Sequence, residues 1–125
     1  MTKEEQQLLK TEDLSARLPY GVCVAKGNII YPLTGINVAL GYVELAVSER
    51  ISIEEVKYYL RPMESMTDEE YREFLDTQTI ECGDGNIPKY EYTYKTFDWL
   101  NKKMFDYRGL IKLGLALEAP KGMYV

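Results

Sequence analysis

Histidine is absent from the 125 residues of this chain. It is the commonest general base near neutral pH and a frequent metal ligand, so its absence excludes Ser-His-Asp and Cys-His arrangements built within one chain. The two cysteines, Cys23 and Cys82, lie in unrelated segments and cannot by themselves form a closed zinc site. The glycine motifs that cradle phosphates are also missing. We therefore expect reduced thiols, no bound metal and no cofactor.

Positive charge is scarce, and long apolar runs are lacking. The chain has 15 Lys and Arg against 20 Asp and Glu, a net charge of -5, which opposes non-specific binding to nucleic acid. The longest apolar stretch, 36–47, is interrupted by Asn37, Gly41 and Glu44, and no run approaches the roughly 20 residues of a membrane span. The start of the sequence is polar and lacks the apolar core of a secretory signal. We expect a cytoplasmic protein that does not bind a membrane.

What remains is the composition of an ordinary globular protein. Hydrophobic residues make up 46% and charged residues 28% of the sequence, and there is no internal repeat or linker rich in Pro, Gly or Ser. A chain of this length can bury a sizeable core without a disulfide or a metal. We predict a single domain over residues 1–125.

Capping signals predict most of the helices. Ser or Thr followed three residues later by Glu marks a helix start, and this pattern predicts helices over 3–17, 53–60 and 68–76. Two further helices are predicted over 97–105, capped by Thr96, and over 107–113, closed by Gly114. The side chains expected to face inward are Leu8, Leu9 and Leu14 in the first helix, Tyr71, Phe74 and Leu75 in the third, and Phe97, Leu100 and Met104 in the fourth. Trp99, Leu100 and Leu110 are expected to anchor the C-terminal helices.

Turn signals and alternating patterns predict the strands. Gly27-Asn28 joins strands 20–25 and 29–33 in a hairpin, and Pro32 places the second of them at an edge or a bulge. A long strand over 36–47 changes its apolar parity at Gly41, which a bulge there would explain. Shorter strands are predicted over 79–82, 90–95 and 115–117, with a turn at Gly83-Asp84-Gly85-Asn86. The prediction is an α+β fold, in which a small antiparallel sheet of a hairpin and a long bulged strand packs with several short helices.

Tyrosine is unusually common, with 11 residues. Tyr90, Tyr92 and Tyr94 alternate with polar residues, so a strand would present all three rings on one face. Tyrosine combines a flat apolar body with a polar tip and is enriched at interfaces. Two interpretations stay open: the row is a binding surface, or it is a half-buried face covered by a helix.

Arginines stand at the predicted element boundaries, next to aromatic residues or proline. These positions suit the recognition of a carboxylate, a phosphate or a ring, because guanidinium binds anions in a bidentate manner. The candidate binding cluster is therefore Arg17, Tyr20, Arg61, Tyr107 and Arg108. The competing interpretation is that each Arg caps the end of a helix or pairs with a local acid.

Adjacent carboxylates offer the remaining route to catalysis. Glu54-Glu55 and Asp68-Glu69-Glu70 could bind a hard cation or act as acid and base. Both groups lie at predicted helix starts, where negative charge is favoured by the helix dipole without any function.

Several sequence words occur together in this chain: 14–22 (LSARLPYGV), 59–63 (YLRPM), 98–101 (DWLN), 106–111 (DYRGLI) and 114–120 (GLALEAP). In these words the chain resembles a group of small uncharacterised proteins encoded in phages, prophages and mobile elements of gut bacteria. The similarity covers most of the chain except 26–50 and 77–96. The group has no assigned activity, so the resemblance implies a context only: small proteins of this kind often bind host machinery or a host signal molecule.

These observations lead to three hypotheses about function. The first is a non-enzymatic binding protein that contacts a host protein partner. The alternative is a protein that binds a nucleotide or a nucleotide-derived signal through Tyr and Arg side chains. The third is a hydrolase that uses carboxylates alone. An open Tyr-rich patch would favour the protein partner, and a pocket lined by Tyr and Arg would favour the ligand.

Overall fold

Helices and strands follow one another irregularly along the chain, which confirms the α+β class. The computed structural model describes residues 1–46, 48–82, 85 and 88–124. In chain order the elements are α1 (Lys3–Arg17), β1 (Cys23–Lys26), β2 (Ile29–Asn37), β3 (Tyr42–Leu45), β4 (Arg50–Ser52), β5 (Lys57–Leu60), α2 (Asp68–Asp76), β6 (Thr79–Cys82), β7 (Pro88–Glu91), α3 (Tyr94–Lys102) and β8 (Leu117–Glu118). Short 3-10 helices occupy Leu18–Tyr20 and Met63–Ser65.

Most strands belong to one sheet with the order β4-β3-β2-β1-β5-β8. Its neighbours pair in antiparallel fashion except β5 and β8, which are parallel. β6 and β7 pair only with each other and form a separate two-stranded ribbon. The predicted turn at Gly83-Asp84-Gly85-Asn86 lies outside the described residues except for Gly85. No helix in the described ranges has both the length and the apolar character needed to cross a bilayer.

Helix α1 has the predicted bounds, but its buried face is only partly the predicted one. Thr2 caps the helix, because its Oγ1 accepts a hydrogen bond from the Glu5 N–H at 3.1 Å. Leu8, which we expected to face inward, is 61% exposed. Leu14 is buried and Leu9 is half-buried, as expected, and the other buried side chains of the helix are Lys10, Asp13 and Arg17. They recur at helical spacing, so α1 turns a largely charged face towards the core.

The first hairpin confirms the Gly27-Asn28 turn, since Lys26 pairs with Ile29 and Gly27 has the positive φ of +61° that such turns require. β2 is longer than predicted and lies inside the sheet rather than at its edge. Pro32 is tolerated because it lies in the half of β2 that pairs with β1 alone, and the register against β3 shifts between Leu33 and Gly35.

The long strand predicted over 36–47 is wrong. β2 ends at Asn37 and the chain turns back into β3 at Tyr42. Asn37 Oδ1 accepts a hydrogen bond from the Leu40 N–H at 2.9 Å, and Gly41 has a φ of +72°. The change of parity at Gly41 therefore comes from a hairpin turn, which reverses the facing of side chains as a bulge would.

The helix predicted over 53–60 is also wrong. Ser52 begins only one turn, in which its carbonyl accepts the Glu55 and Val56 N–H groups at 3.1 and 2.9 Å. β5 follows, and Val56, Tyr58 and Leu60 are all fully buried. This alternation has the strand period, and pairing with β1 and β8 outweighs the local helix-start signal.

Helix α2 confirms its prediction, with a complete capping box between Thr67 and Glu70. Phe74 is buried as expected, Leu75 is half-buried, and Tyr71 is 53% exposed. Helix α3 begins three residues before the predicted start, because Thr93 caps it and Thr96 is the third residue of its first turn. Phe97 consequently lies 41% exposed, while Leu100 and Met104 are buried.

The helix predicted over 107–113 is a series of turns. The Asp106 carboxylate organises them, since it accepts hydrogen bonds from the Leu110 N–H at 2.8 Å and the Ile111 N–H at 2.9 Å. Gly114 has the predicted left-handed conformation, with a φ of +75°. The final strand is shorter and later than predicted, at Leu117–Glu118.

Three threonines close the base of the β6–β7 ribbon. Thr93 Oγ1 and Thr96 Oγ1 both donate to the Thr77 carbonyl, at 2.8 and 3.0 Å, and Thr77 Oγ1 donates to Thr96 Oγ1 at 3.1 Å. We call this arrangement the threonine clasp. It joins the end of α2 to the start of α3 across the ribbon.

Buried side chains form two clusters. The larger one joins α1, the main sheet and the 110–116 turns, and contains Leu14, Val24, Val43, Tyr58 and Leu110. The smaller one consists of Phe74, Leu100 and Phe105 between α2 and α3, with Trp99 half-buried against it. Leu100 and Leu110 are therefore core residues as predicted, whereas Trp99 belongs to the rim of the smaller cluster.

Candidate functional site

Aromatic rings form a continuous strip across α2, the segment before α3, α3 and the turn after it. Its members, which we call the aromatic strip, are Tyr71, Phe74, Tyr92, Phe97 and Tyr107. Successive ring centroids are 6.5, 5.4, 5.7 and 5.5 Å apart, with tilted or edge-to-face geometry. Tyr71, Tyr92 and Phe97 are 53, 46 and 41% exposed, so the strip presents large rings to solvent that are fixed by contact with one another.

Two further rings, Trp99 and Phe105, pack behind the strip in the smaller core. Trp99 stacks on Phe74 with a centroid distance of 5.7 Å and on Phe105 with one of 5.6 Å. The Arg61 guanidinium lies over the opposite end of this stack, 4.2 Å from the Phe105 centroid. The strip is therefore continuous with the smaller core, which restrains its rings.

The end of α3 places Phe105 beside Arg61. The Phe105 N–H donates to the Leu100 carbonyl at 3.0 Å and the Met104 N–H donates to the Asn101 carbonyl at 3.2 Å, the bonding pattern of a Schellman motif. Met104 takes the left-handed position with a φ of +64°, where glycine is usual, because its side chain is buried in the larger core. The Arg61 N–H then donates to the Met104 carbonyl at 2.7 Å.

Arg61 is held by Glu70 of α2. Its two terminal nitrogens donate to the two Glu70 carboxylate oxygens at 2.7 and 2.6 Å, in a bidentate pair. The hydrogen bond from Arg61 lowers the pKa of Glu70 below its ordinary value. Glu70 also accepts the Thr67 N–H, so one carboxylate closes the capping box of α2 and binds Arg61.

Asp13 is the centre of a buried network under α1. Its Oδ2 accepts hydrogen bonds from Arg17 Nε at 3.0 Å and from the Tyr58 hydroxyl at 2.8 Å, and its Oδ1 accepts one from Arg108 Nη1 at 2.7 Å. The Asp13 and Arg17 side chains are both 0% exposed. Burial, with the Asp13 carboxylate second, raises the pKa of Tyr58 far above its ordinary value, so Tyr58 is a permanent donor.

Arg17 connects this network to the strip. Its Nη2 donates to the Phe105 carbonyl at 2.7 Å, and its guanidinium lies 5.4 Å from the Tyr107 centroid. Arg108 lies over the same ring at 4.8 Å. Arg17 Nη1 is buried and has no hydrogen-bond partner within the described ranges. Arg17 therefore depends on Asp13 for the neutralisation of its charge.

The structure brings together part of the predicted five-residue cluster. Arg17 and Arg108 both bind Asp13 and both lie over the Tyr107 ring, but Arg17 is buried and cannot meet a partner at the surface. Arg61 and Tyr20 line a different surface, a groove whose walls include none of the other three residues. The five side chains thus do not form one solvent-open site, and the binding role of the exposed members stays a prediction.

The groove that Tyr20 and Arg61 line is basic. It has a volume of ≈ 510 Å³, and its remaining walls include Lys102, Lys103 and Tyr124. The Tyr124 hydroxyl is held between the Tyr59 carbonyl and the Cys23 N–H at 2.7 and 2.8 Å, and burial raises its pKa. We call this surface the basic groove.

Tyr90, Tyr92 and Tyr94 do not form the predicted row. Tyr90 lies in β7 and is 42% exposed, Tyr92 follows the strand and packs on Phe74, and Tyr94 is the first residue of α3 at 74% exposure. The predicted strand over 90–95 is wrong because β7 ends at Glu91 and the Thr93 cap begins α3. All three rings are exposed, but they lie on three different parts of the chain: β7, the segment after it and α3.

Several residues of these sites were missed from the sequence. We expected Tyr71 and Phe97 in the core, we gave Asp13 and Lys102 no role, and we gave Glu70 its places in the capping box with Thr67 and in the acidic group at the start of α2, but no ion-pair partner. One signal was present: Asp13 and Arg17 are four residues apart on one helix, which places an acid and a base on the same face. Glu70 binds Arg61 of the preceding segment, and Lys102 lines the basic groove with residues from other elements, so neither arrangement leaves a local pattern.

The carboxylates and thiols of the described residues can be compared with the predicted catalytic and metal-binding groups. Among them no group of three or more acidic or cysteine side chains is arranged to hold a metal ion. Both carboxylate oxygens of Glu70 accept hydrogen bonds from Arg61, and Glu54 lies exposed on the turn before β5. Cys23 is a half-buried free thiol, and the Cys82 side chain lies outside the described residues. In comparisons with protein-family models, curated proteins and solved structures, none matched this chain.

Proposed function

We propose that this chain is a non-enzymatic binding protein that acts by contact with a protein partner in a bacterial host. The observation that supports it is the aromatic strip. Soluble monomers rarely keep a contiguous set of large rings at the surface, and such patches mark interaction sites. Tyr and Phe fixed by their neighbours lose little conformational entropy on binding, which makes them effective anchors.

Site-specific photo-cross-linking tests this proposal. A photoreactive phenylalanine analogue replaces Tyr94, which is 74% exposed and lies three residues before Phe97 on α3. The matched control carries the analogue at Leu40, which is 73% exposed on the turn between β2 and β3. Irradiation in gut-bacterial lysate should give a discrete adduct of fixed mass from the Tyr94 position and none from the Leu40 position.

A second variant links the adduct to the strip. Phe97→Ala removes one exposed ring and should abolish the adduct, while far-UV circular dichroism and the melting temperature stay close to those of the parent. Equal adducts from the Tyr94 and Leu40 positions, or no adduct from either, would contradict the proposal.

The basic groove favours a second candidate, a protein that binds a nucleotide or another small phosphorylated signal. Arg61, Lys102 and Lys103 carry three positive charges there against one from Glu70, in a chain with a net charge of -5. Tyr20 offers a partly exposed ring for stacking. Thermal-shift measurements with ATP, GTP and a cyclic dinucleotide test it, because a ligand that binds only the folded state raises the melting temperature. The shift should vanish in Lys102→Glu/Lys103→Glu and persist in Lys95→Glu.

A further inference from the structure

A second groove adjoins the aromatic strip, between the 3-10 helix Met63–Ser65 and α2. It has a volume of ≈ 490 Å³, and its apolar surface comes from Met63, Met66, Tyr71 and Phe74. We call it the methionine groove. Tyr71 and Phe74 belong to both surfaces, so the groove is the continuation of the strip beyond α2.

The apolar wall of the methionine groove combines firm and adaptable parts. Phe74 is 7% exposed and is backed by Trp99 at 5.7 Å. Met63 and Met66 are half-buried against the same cluster. Methionine is unbranched and polarisable, so two methionines beside a fixed ring can fit apolar side chains of different shapes.

The rim of the groove is acidic. Glu64 from the 3-10 helix and Asp68 from the first turn of α2 both line it and are both exposed. Neither makes an ion pair with any residue in the described part of the chain. The solvent-exposed charges of α2 are also mainly negative: Asp68, Glu69, Glu73 and Asp76, against Arg72. The helix dipole accounts for acids in the first turn, but not for Glu64, which precedes the helix.

We propose that the methionine groove binds a peptide segment of the partner that inserts one large apolar side chain and flanks it with Lys or Arg. The apolar wall selects the inserted side chain, and the acidic rim selects the flanking charges. Anionic membranes and nucleic acids are repelled by the same rim. This inference rests on the proposed function, since it specifies the chemistry of the protein partner.

A tryptophan-free random peptide library, displayed and selected on the full chain, tests the chemistry directly. The enriched peptides should carry a large apolar residue next to Lys or Arg. Trp99 is the only tryptophan of the chain and stacks on Phe74, so binding in the groove should change its fluorescence. Exchange of the apolar residue of a selected peptide for serine should abolish both the binding and the fluorescence change.

Charge-neutral variants provide the matched control. Glu64→Gln/Asp68→Asn should weaken the selected peptides about five- to tenfold at about 50 mM salt, because two nearby opposite charges are lost. Glu4→Gln/Glu12→Gln removes the same total charge from exposed positions of α1, including one in the first helical turn, and should leave the affinity unchanged.

The inference is overturned if no peptide is enriched, if the enriched peptides lack basic flanks, or if both double variants bind equally. The cross-link from the Tyr94 position distinguishes this failure from that of the proposed function. An adduct whose yield is the same in wild type and in Glu64→Gln/Asp68→Asn would refute peptide binding in the methionine groove and would still support a protein partner. The loss of every adduct in wild type would refute both.

Discussion

Replacing Asp13 with alanine should destabilise the fold by about 3–5 kcal/mol, because it leaves the buried Arg17 guanidinium without its counter-charge. Both side chains are 0% exposed, so water cannot take over the lost interaction without opening the core. The Tyr58 hydroxyl, 2.8 Å from Asp13 Oδ2, also loses its acceptor. Arg108 is 24% exposed and can be solvated, so the loss of its ion pair with Asp13 adds little to the destabilisation.

Urea unfolding followed by Trp99 fluorescence and circular dichroism measures this loss. For a domain of this size it corresponds to a melting temperature about 10–20 °C lower. Glu12→Ala is the matched control, because Glu12 precedes Asp13 on α1 but is exposed, and its cost should stay within about 0.5 kcal/mol.

A double variant separates the unpaired charge from other effects. Asp13→Ala/Arg17→Met removes the guanidinium together with its partner, so its cost should be clearly smaller than the sum of the two single costs. Additive costs, or an Asp13→Ala cost as small as that of Glu12→Ala, would show that Arg17 is not neutralised by Asp13 and would refute the network.

Two further predictions concern the cores and pH. Trp99→Ala should cost about 2–3 kcal/mol, less than a fully buried tryptophan, because the ring is half-buried between Phe74 and Phe105; an unchanged urea midpoint would contradict the stack. Burial lowers the pKa of Lys10 to about 8, so between pH 8 and 10.5 the unfolded chain binds more protons and the free energy of unfolding should rise with pH, by about 1–3 kcal/mol. Unfolding of wild type and Lys10→Met across this range should show the rise only in wild type. From about pH 10 the raised pKa values of Tyr58 and Tyr124 oppose this rise, because only the unfolded state then releases those protons.

The sequence predicted elements well where one local signal decides the structure. The Thr2 and Thr67 caps and the Gly27-Asn28 turn act within a few residues, and α1, α2 and the first hairpin follow from them. It failed where two structures share a pattern. A bulge and a hairpin turn both change the parity at Gly41, and only the pairing of β3 with β2 distinguishes them.

Distant partners account for the other failures. Ser52 carries a helix-start signal, but the segment after it is buried on alternate residues between β1 and β8, and β8 lies far along the chain. The sites follow the same rule. Arg61 and Arg108 were predicted to bind a partner or to pair with an acid, and the acids that they do contact, Glu70 and Asp13, could not be assigned without the fold.

The threonine clasp has a consequence for how this protein can change. Hydroxyl and carbonyl groups of Thr77, Thr93 and Thr96 join the two ends of the ribbon at its base. β6 and β7 form a sheet of their own, so we expect changes in the ribbon to leave the main sheet unaltered. The length and sequence of the ribbon between these threonines should therefore be exchangeable, because the clasp itself holds the end of α2 against the start of α3. Substitutions in the ribbon should therefore cost the rest of the fold little, provided that the three clasp threonines and Tyr92, which packs on Phe74, are kept. The ribbon thus offers a variable surface next to the rings with which we propose the protein meets its partner.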